Sequence, residues 1–217
     1  MSNKKPIYIA LDVEAAGQNI LQHPTLSIGA CVVSNGLNFS ERQQAGLVFY
    51  SELKQRPLAI YQDEPLRIGC AQLDCLRTKK SDPRYDPTKP EFQPRLLFDL
   101  MYRASEPRLK AIQRFQQWIR QVANGREVVG VTDTVFFDSI RIALEFAKYG
   151  EGDCPFGHQG LDLTSFYCGQ SIAGFEARLK DLAEAGHIFD WRTQPHKADQ
   201  DAAYLADQAA CLLDMDF

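Results

Sequence analysis

The stretch Ile7-Tyr8-Ile9-Ala10-Leu11-Asp12-Val13-Glu14 repeats with period two, which constrains it to a strand with two unlike faces. Ile7, Ile9, Leu11 and Val13 form an apolar face that has to enter a core, while Tyr8, Ala10, Asp12 and Glu14 share the other. Two acids at i and i+2 on one side of a strand repel each other and stabilise nothing unless a cation lies between them. A divalent metal is the natural candidate. The plain alternative is the solvated face of an edge strand, so the metal reading needs further acids.

Two more stand in suitable places. Arg126 to Asp133 reads as another strand, followed by Thr134-Val135-Phe136-Phe137-Asp138 and a helical pattern with Ile140, Ala143, Leu144 and Ala147 on one face. Asp138 therefore falls where that helix begins, a position that also suits an ordinary capping acid. Near the C-terminus, Pro195-His196-Lys197-Ala198-Asp199-Gln200-Asp201 leads into a helix with Ala202, Leu205, Ala209 and Leu212 inward, and Asp201 lies on its first turn. Five helical positions rotate by about 140°, so His196 and Asp201 cannot share a helix face, and His196 is expected on the loop. There it can stand beside a metal without ligating it, as a general base near neutral pH does, or be a plain surface histidine.

With these residues the chain resembles the DEDDh branch of the DnaQ-like 3′-to-5′ exonucleases, which have a ribonuclease H-like fold. The match rests on Asp12 and Glu14 in L-D-V-E-A-A-G, Asp138 in F-F-D, and His196 with Asp201 in H-K-A-D-Q-D-A. It runs from the first strand to the last helix. The resemblance implies Asp12, Glu14, Asp138 and Asp201 as ligands of two divalent cations, Mg²⁺ or Mn²⁺, with His196 as the base that takes a proton from the attacking water. Hard cations prefer oxygen donors, and a pair about 4 Å apart relieves charge at both ends of a phosphodiester displacement. Ala15 and Ala16 stand where many relatives carry Thr or Ser, so a hydroxyl is missing. With Phe137 they are the candidate substrate-contacting positions. Upstream of the third acid, Asp133-Thr134 replaces the family's usual pair, and Asp133 is either an added polar contact or a solvated strand end.

Composition sets the outer limits. At 217 residues and 45% hydrophobic content the chain can bury one substantial core, and a single domain over residues 1–217 is expected. No apolar run approaches the roughly 20 residues of a membrane helix, and Met-Ser-Asn-Lys-Lys-Pro lacks a signal peptide's apolar centre, so a cytoplasmic or otherwise intracellular protein is expected. The six cysteines are scattered, which favours a reducing compartment, although Cys70, Cys75, Cys154 and His158 could in principle hold zinc. A net charge of −4, partly the acid cluster itself, suits a grip on a few terminal nucleotides better than tight duplex binding.

The order of elements predicts an α/β fold with a mixed five-stranded sheet flanked by helices. Leu26–Val33 and Leu47–Leu53 read as strands joined by a polar loop containing Asn35-Gly36, a helix starts near Pro107 with Leu109, Ile112, Phe115, Ile119 and Val122 inward, Leu161–Leu163 begins a short fifth strand, and a helix carries Phe175, Leu179 and Leu182. Residues 54–106 form an insertion. Its middle, residues 77–95, is proline-rich with six basic and three acidic residues, and is expected to be an extended loop whose Tyr85 and Phe92 could stack on bases. A solvated insertion or an oligomer contact is the alternative.

The activity expected is removal of mononucleotides from single-stranded 3′ ends, with RNA slightly favoured because no polymerase domain is attached. A DNA proofreading enzyme with a polymerase partner would keep every motif. A catalytically silent ribonuclease H-like binding module should lack one of the five residues, and none is missing.

Overall fold

The first strand is hydrogen-bonded to a neighbouring strand along each edge, which places it inside a sheet and removes the edge-strand alternative. The computed structural model describes residues 4–171 and 174–213, apart from the side chain of Phe175. In chain order these form β1 (Ile7–Ala15), β2 (Thr25–Val32), α1 (Phe39–Gln44), β3 (Val48–Glu52), α2 (Asp63–Gly69), α3 (Asp74–Arg77), α4 (Pro94–Ala104), α5 (Arg108–Ala123), β4 (Val128–Thr132), α6 (Ile140–Tyr149), β5 (Gly160–Asp162), α7 (Leu163–Gln170), α8 (Lys180–Glu184) and α9 (Ala198–Leu213). A π-helical turn, Val135–Ser139, precedes α6.

The sheet order is β3-β2-β1-β4-β5, with β1–β2 and β2–β3 antiparallel and β1–β4 and β4–β5 parallel. This is the mixed five-stranded sheet expected, with the acid-bearing strand central. Ile7, Ile9, Leu11 and Val13 pack with Ile112, Phe115, Ile142 and Phe146 of α5 and α6 on one side. On the other, Ala10, Cys31 and Val131 meet Ala202, Ala206 and Ala209 of α9. Small side chains along α9 bring it close to the sheet, and the backbone meets the sheet directly at one point. A Cβ at Gly29 of β2 would collide with the Ala198 carbonyl, so only glycine lets the start of α9 rest there.

Several local expectations need correction. The linker after Asn35-Gly36 contains α1, whose start is fixed by a capping box: the Glu41 N–H donates to Asn38 Oδ1 (3.0 Å) and the Asn38 N–H to Glu41 Oε2 (2.8 Å). In α6 the inward residues are Arg141, Ile142, Glu145 and Phe146, while Ala143 and Ala147 are exposed. The wider π turn shifts the helix phase, and Arg141 and Glu145 enter because both are paired. Leu109 of α5 is likewise exposed. The helix expected around Phe175 is a 3₁₀ turn, Gly174–Glu176, followed by α8; Leu179 and Leu182 are buried, and the Phe175 side chain lies outside the described residues.

The larger correction concerns residues 54–106. They hold α2, α3 and α4 around their own apolar cluster of Leu66, Leu76, Phe92, Leu97, Phe98 and Met101, closed against Ala16 and Leu26 of the main fold. Phe92 is buried and not available to stack on a base, and half-buried Tyr85 packs against the same cluster. Prolines here mark helix starts: Pro94 opens α4, and Pro83 opens a 3₁₀ turn capped by Asp82.

Candidate active site

Three segments bring four acids to one place. β1 presents Asp12 and Glu14 on its α9 side, and a break in the β1–β2 register falls between Glu14 and Ala15, beside the second acid. The π turn carries Asp138 inward, where its Oδ1 accepts from the Val13 N–H at 3.2 Å, joining the turn to β1 between the two strand acids. The first turn of α9 supplies Asp201. Its Oδ1 accepts from Arg192 at 2.8 Å and its Oδ2 from the His196 backbone N–H at 2.9 Å.

His196 is on the loop, as expected. It is exposed, its φ of 65° is left-handed, and that turn aims its N–H at Asp201. Ligand atoms of Glu14, His196 and Asp201 all lie within 4.8 Å of one another.

Electrostatics show what this grouping costs without a counter-charge. Burial first, then Asp138 and Asp201, push the Asp12 carboxyl well above its ordinary range, against a lowering pull from Arg192. Burial together with Asp12, Asp201 and Asp138 does the same to Glu14. Burial lifts Asp138 to about 7, although the Val13 N–H favours its ionised form. Asp201 is raised by burial and restrained by Arg192 and the His196 N–H. Asp12 Oδ2 is sealed from solvent with no hydrogen-bond partner. A buried carboxylate oxygen left without a donor is what an oxygen-preferring dication requires, and the donor set of four carboxylates fits Mg²⁺ or Mn²⁺.

The insertion forms part of the site wall. At Gly69, the end of α2, a Cβ would sit 2.7 Å from the Ala15 carbonyl and 3.0 Å from Glu14 Oε2. Lys197, next to His196, pairs with Asp74 of α3 at 3.1 Å.

Asp133 is exposed and accepts from the Thr164 hydroxyl, while its charge helps to raise Asp12 and Asp138. The substrate-contact expectations fare differently. Ala15 and Ala16 are buried, Ala16 in the core of the insertion, so neither offers a side chain to a ligand. Phe137 packs against the α5–α6 core and beneath Arg141, 4.5 Å from its ring centroid. Its neighbour Phe136 is 83% exposed instead. The zinc expectation also fails: Cys70 is buried in the insertion core and Cys154 packs against the α5–α6 core, and among the described residues the one potential metal cluster is Glu14, His196 and Asp201.

Arg192 had no sequence signal. Besides Asp201 it grips Asp190 through Nε (2.9 Å) and NH2 (2.7 Å), and it stacks 4.3 Å from the Tyr204 ring centroid. Nothing in Asp190-Trp191-Arg192 is periodic or motif-like; only folding brings this guanidinium to the acids.

The fold recurs in solved nucleases. The nuclease domain of 3′hExo, a DEDDh family member bound to rAMP, superposes with a TM-score of 0.64 over 99% of this chain and 94% of that one, at 11% identity. Escherichia coli exonuclease I in complex with a dA16 oligonucleotide gives 0.59 over 96% of this chain at 12% identity, and the chain spans 41% of that longer structure. A zinc-bound form of its complex with single-stranded DNA gives 0.60, with 40% of that chain covered. The ribonuclease H-like fold is shared with these exonucleases, and the five ordered signature residues resemble the DEDDh pattern. No protein-family model matches it. Among curated proteins it is 29% identical over 210 residues to the 3′-5′ DNA exonuclease Cap18 of Escherichia coli, covering 95% of this chain and 91% of that one.

Proposed function

We propose that this chain removes mononucleotides one at a time from the 3′ end of single-stranded DNA, using two divalent cations held by Asp12, Glu14, Asp138 and Asp201. What supports the reading is the convergence of four buried or half-buried carboxylates, one with an unpartnered oxygen, beside an exposed imidazole. DNA is preferred to RNA because a relative similar along nearly the whole chain is named a DNA exonuclease.

When bound, the cations make water a stronger acid and neutralise charge building on the phosphate. The chain's own residues do the rest. His196 takes the proton from the attacking water as its oxygen bonds to phosphorus and the bond to the 3′ oxygen breaks. Arg192 and the His196 N–H hold Asp201 in one orientation, as supporting groups around a metal ligand do. Exposed Phe136, two residues before Asp138, offers a face for the terminal base.

Purified protein incubated with 5′-labelled single-stranded DNA or RNA and Mg²⁺, Mn²⁺ or EDTA should give a ladder shortening from the 3′ end. The ladder should form faster on DNA and vanish in EDTA and in Asp12→Ala. Equal cleavage by Asp12→Ala refutes the assignment, and cleavage of RNA alone refutes the DNA preference.

A further inference from the structure

Beside α6 a cleft of about 660 Å³ opens between the loop after β1, the segment after β3 and the face of α6 that carries Arg141, Glu145 and Lys148. None of the signature acids lines it, and its approach to them is through Arg141. Arg141, three residues beyond Asp138, donates to the carbonyls of Gly17 (2.6 Å) and His23 (2.9 Å), so the loop after Glu14 and the helix after Asp138 meet at one end of the cleft.

The lining is unusual for a chain with net charge −4: five cationic side chains against one carboxylate. That carboxylate, Glu145, is already paired with Arg108. Lys54, Arg56 and Lys148 form no ion pair among the described residues, and Lys54 Nζ lies 4.3 Å from the Tyr102 ring centroid. Large apolar side chains stand open between them, Leu58 at 84%, Ile60 at 59% and Tyr102 at 47% exposure. A protein partner would be served by the apolar groups alone. Cations interleaved with exposed flat and apolar side chains suit a polymer that alternates phosphates with unpaired bases. In a duplex the base faces are stacked away, so the fit is to a single strand.

We infer that this cleft holds the nucleotides upstream of the scissile bond, with Lys54, Arg56 and Lys148 on phosphates and Tyr102, Leu58 and Ile60 against bases. The inference rests on the proposed exonuclease reading and adds where the strand runs. It follows that substrate length governs KM, while the hydrolytic centre does not depend on the cleft.

The test compares wild type with the triple variant Lys54→Gln, Arg56→Gln, Lys148→Gln and, separately, Tyr102→Ser. One substrate is the p-nitrophenyl ester of thymidine 5′-monophosphate, too small to enter the cleft; the other is a DNA strand of roughly ten nucleotides. The triple variant should keep ester hydrolysis, show a raised KM on the strand, and flatten log KM against log salt by about 2, at about 0.7 per lost phosphate contact. Tyr102→Ser should raise KM on the strand without changing the salt slope. Unchanged KM and slope, with ester hydrolysis intact, overturn the inference and leave the exonuclease reading standing. A shift in sedimentation of the triple variant with unchanged kinetics assigns the cleft to a second copy and likewise overturns it. A wild type that hydrolyses neither substrate removes the exonuclease reading, and the cleft's role with it.

Discussion

Replacing Asp138 by asparagine separates what the acid cluster costs the fold from what it does for chemistry. Asp138 titrates near 7 in the folded chain, against about 4 for an ordinary carboxylate. Below pH of about 4 the group is protonated whether the chain is folded or not, and nothing is lost. Between about 4 and 7 the unfolded chain ionises and the folded one does not, so stability falls as pH rises; above 7 the loss is constant. Three pH units correspond to about 4 kcal/mol, a ceiling set by the other acids, which relax when one charge is removed. Asparagine keeps an oxygen for the Val13 N–H and carries no charge. In EDTA at pH 8, Asp138→Asn should therefore melt higher than wild type, by on the order of 10 °C for a chain of this size. At pH 4 the two should coincide. With millimolar Mg²⁺ the order should reverse, because wild type gains a ligand-linked rise that the variant loses together with activity. Thermal melts at the two pH values, with and without metal, decide the matter. A variant that melts at or below wild type in EDTA at pH 8 would show that burial and like-charge repulsion are not what strains this site.

Three other outcomes follow. His196→Gln should lower kcat by about 10²- to 10⁴-fold with KM on single-stranded DNA unchanged, because the side chain moves a proton without binding substrate; steady-state kinetics at saturating Mg²⁺ would reveal a KM effect instead. Arg192→Gln should raise the Mg²⁺ concentration for half-maximal activity by about 10- to 100-fold while leaving the maximum largely intact, since it supports Asp201 rather than touching metal; a titration that superposes on wild type refutes this. Phe98→Ala should cost about 3–5 kcal/mol in urea unfolding, because the inserted helices share a core with Ala16 and Leu26, whereas a peripheral loop would tolerate the change.

The layering of the sheet was legible because a period of two is written directly in Ile7 to Glu14, the span that β1 covers. The signature acids were legible for the same reason, each lying at the end of a recognisable periodic run. What stayed hidden depends on contacts between segments. The phase of α6 is shifted by the π turn and reinforced by Arg141 reaching Gly17 and His23, neither of which leaves a trace in local sequence. The insertion was read from its prolines, which mark loops and helix starts alike, so their tie to buried Leu97 and Phe98 could not be seen. Ala15 and Ala16 looked like places where a hydroxyl was missing; packing shows that they are small because they are enclosed.

The contact at Gly29 carries a lesson about how this catalytic centre could be lost. Any side chain larger than hydrogen there would wedge the last helix off the sheet and carry Asp201 away from Asp12 and Glu14, although the residue lies in a different strand from either acid and binds nothing. On the proposed role of the four acids, such a lesion would present as failed cofactor uptake with every acid intact, and its cure would be sought in the wrong part of the molecule.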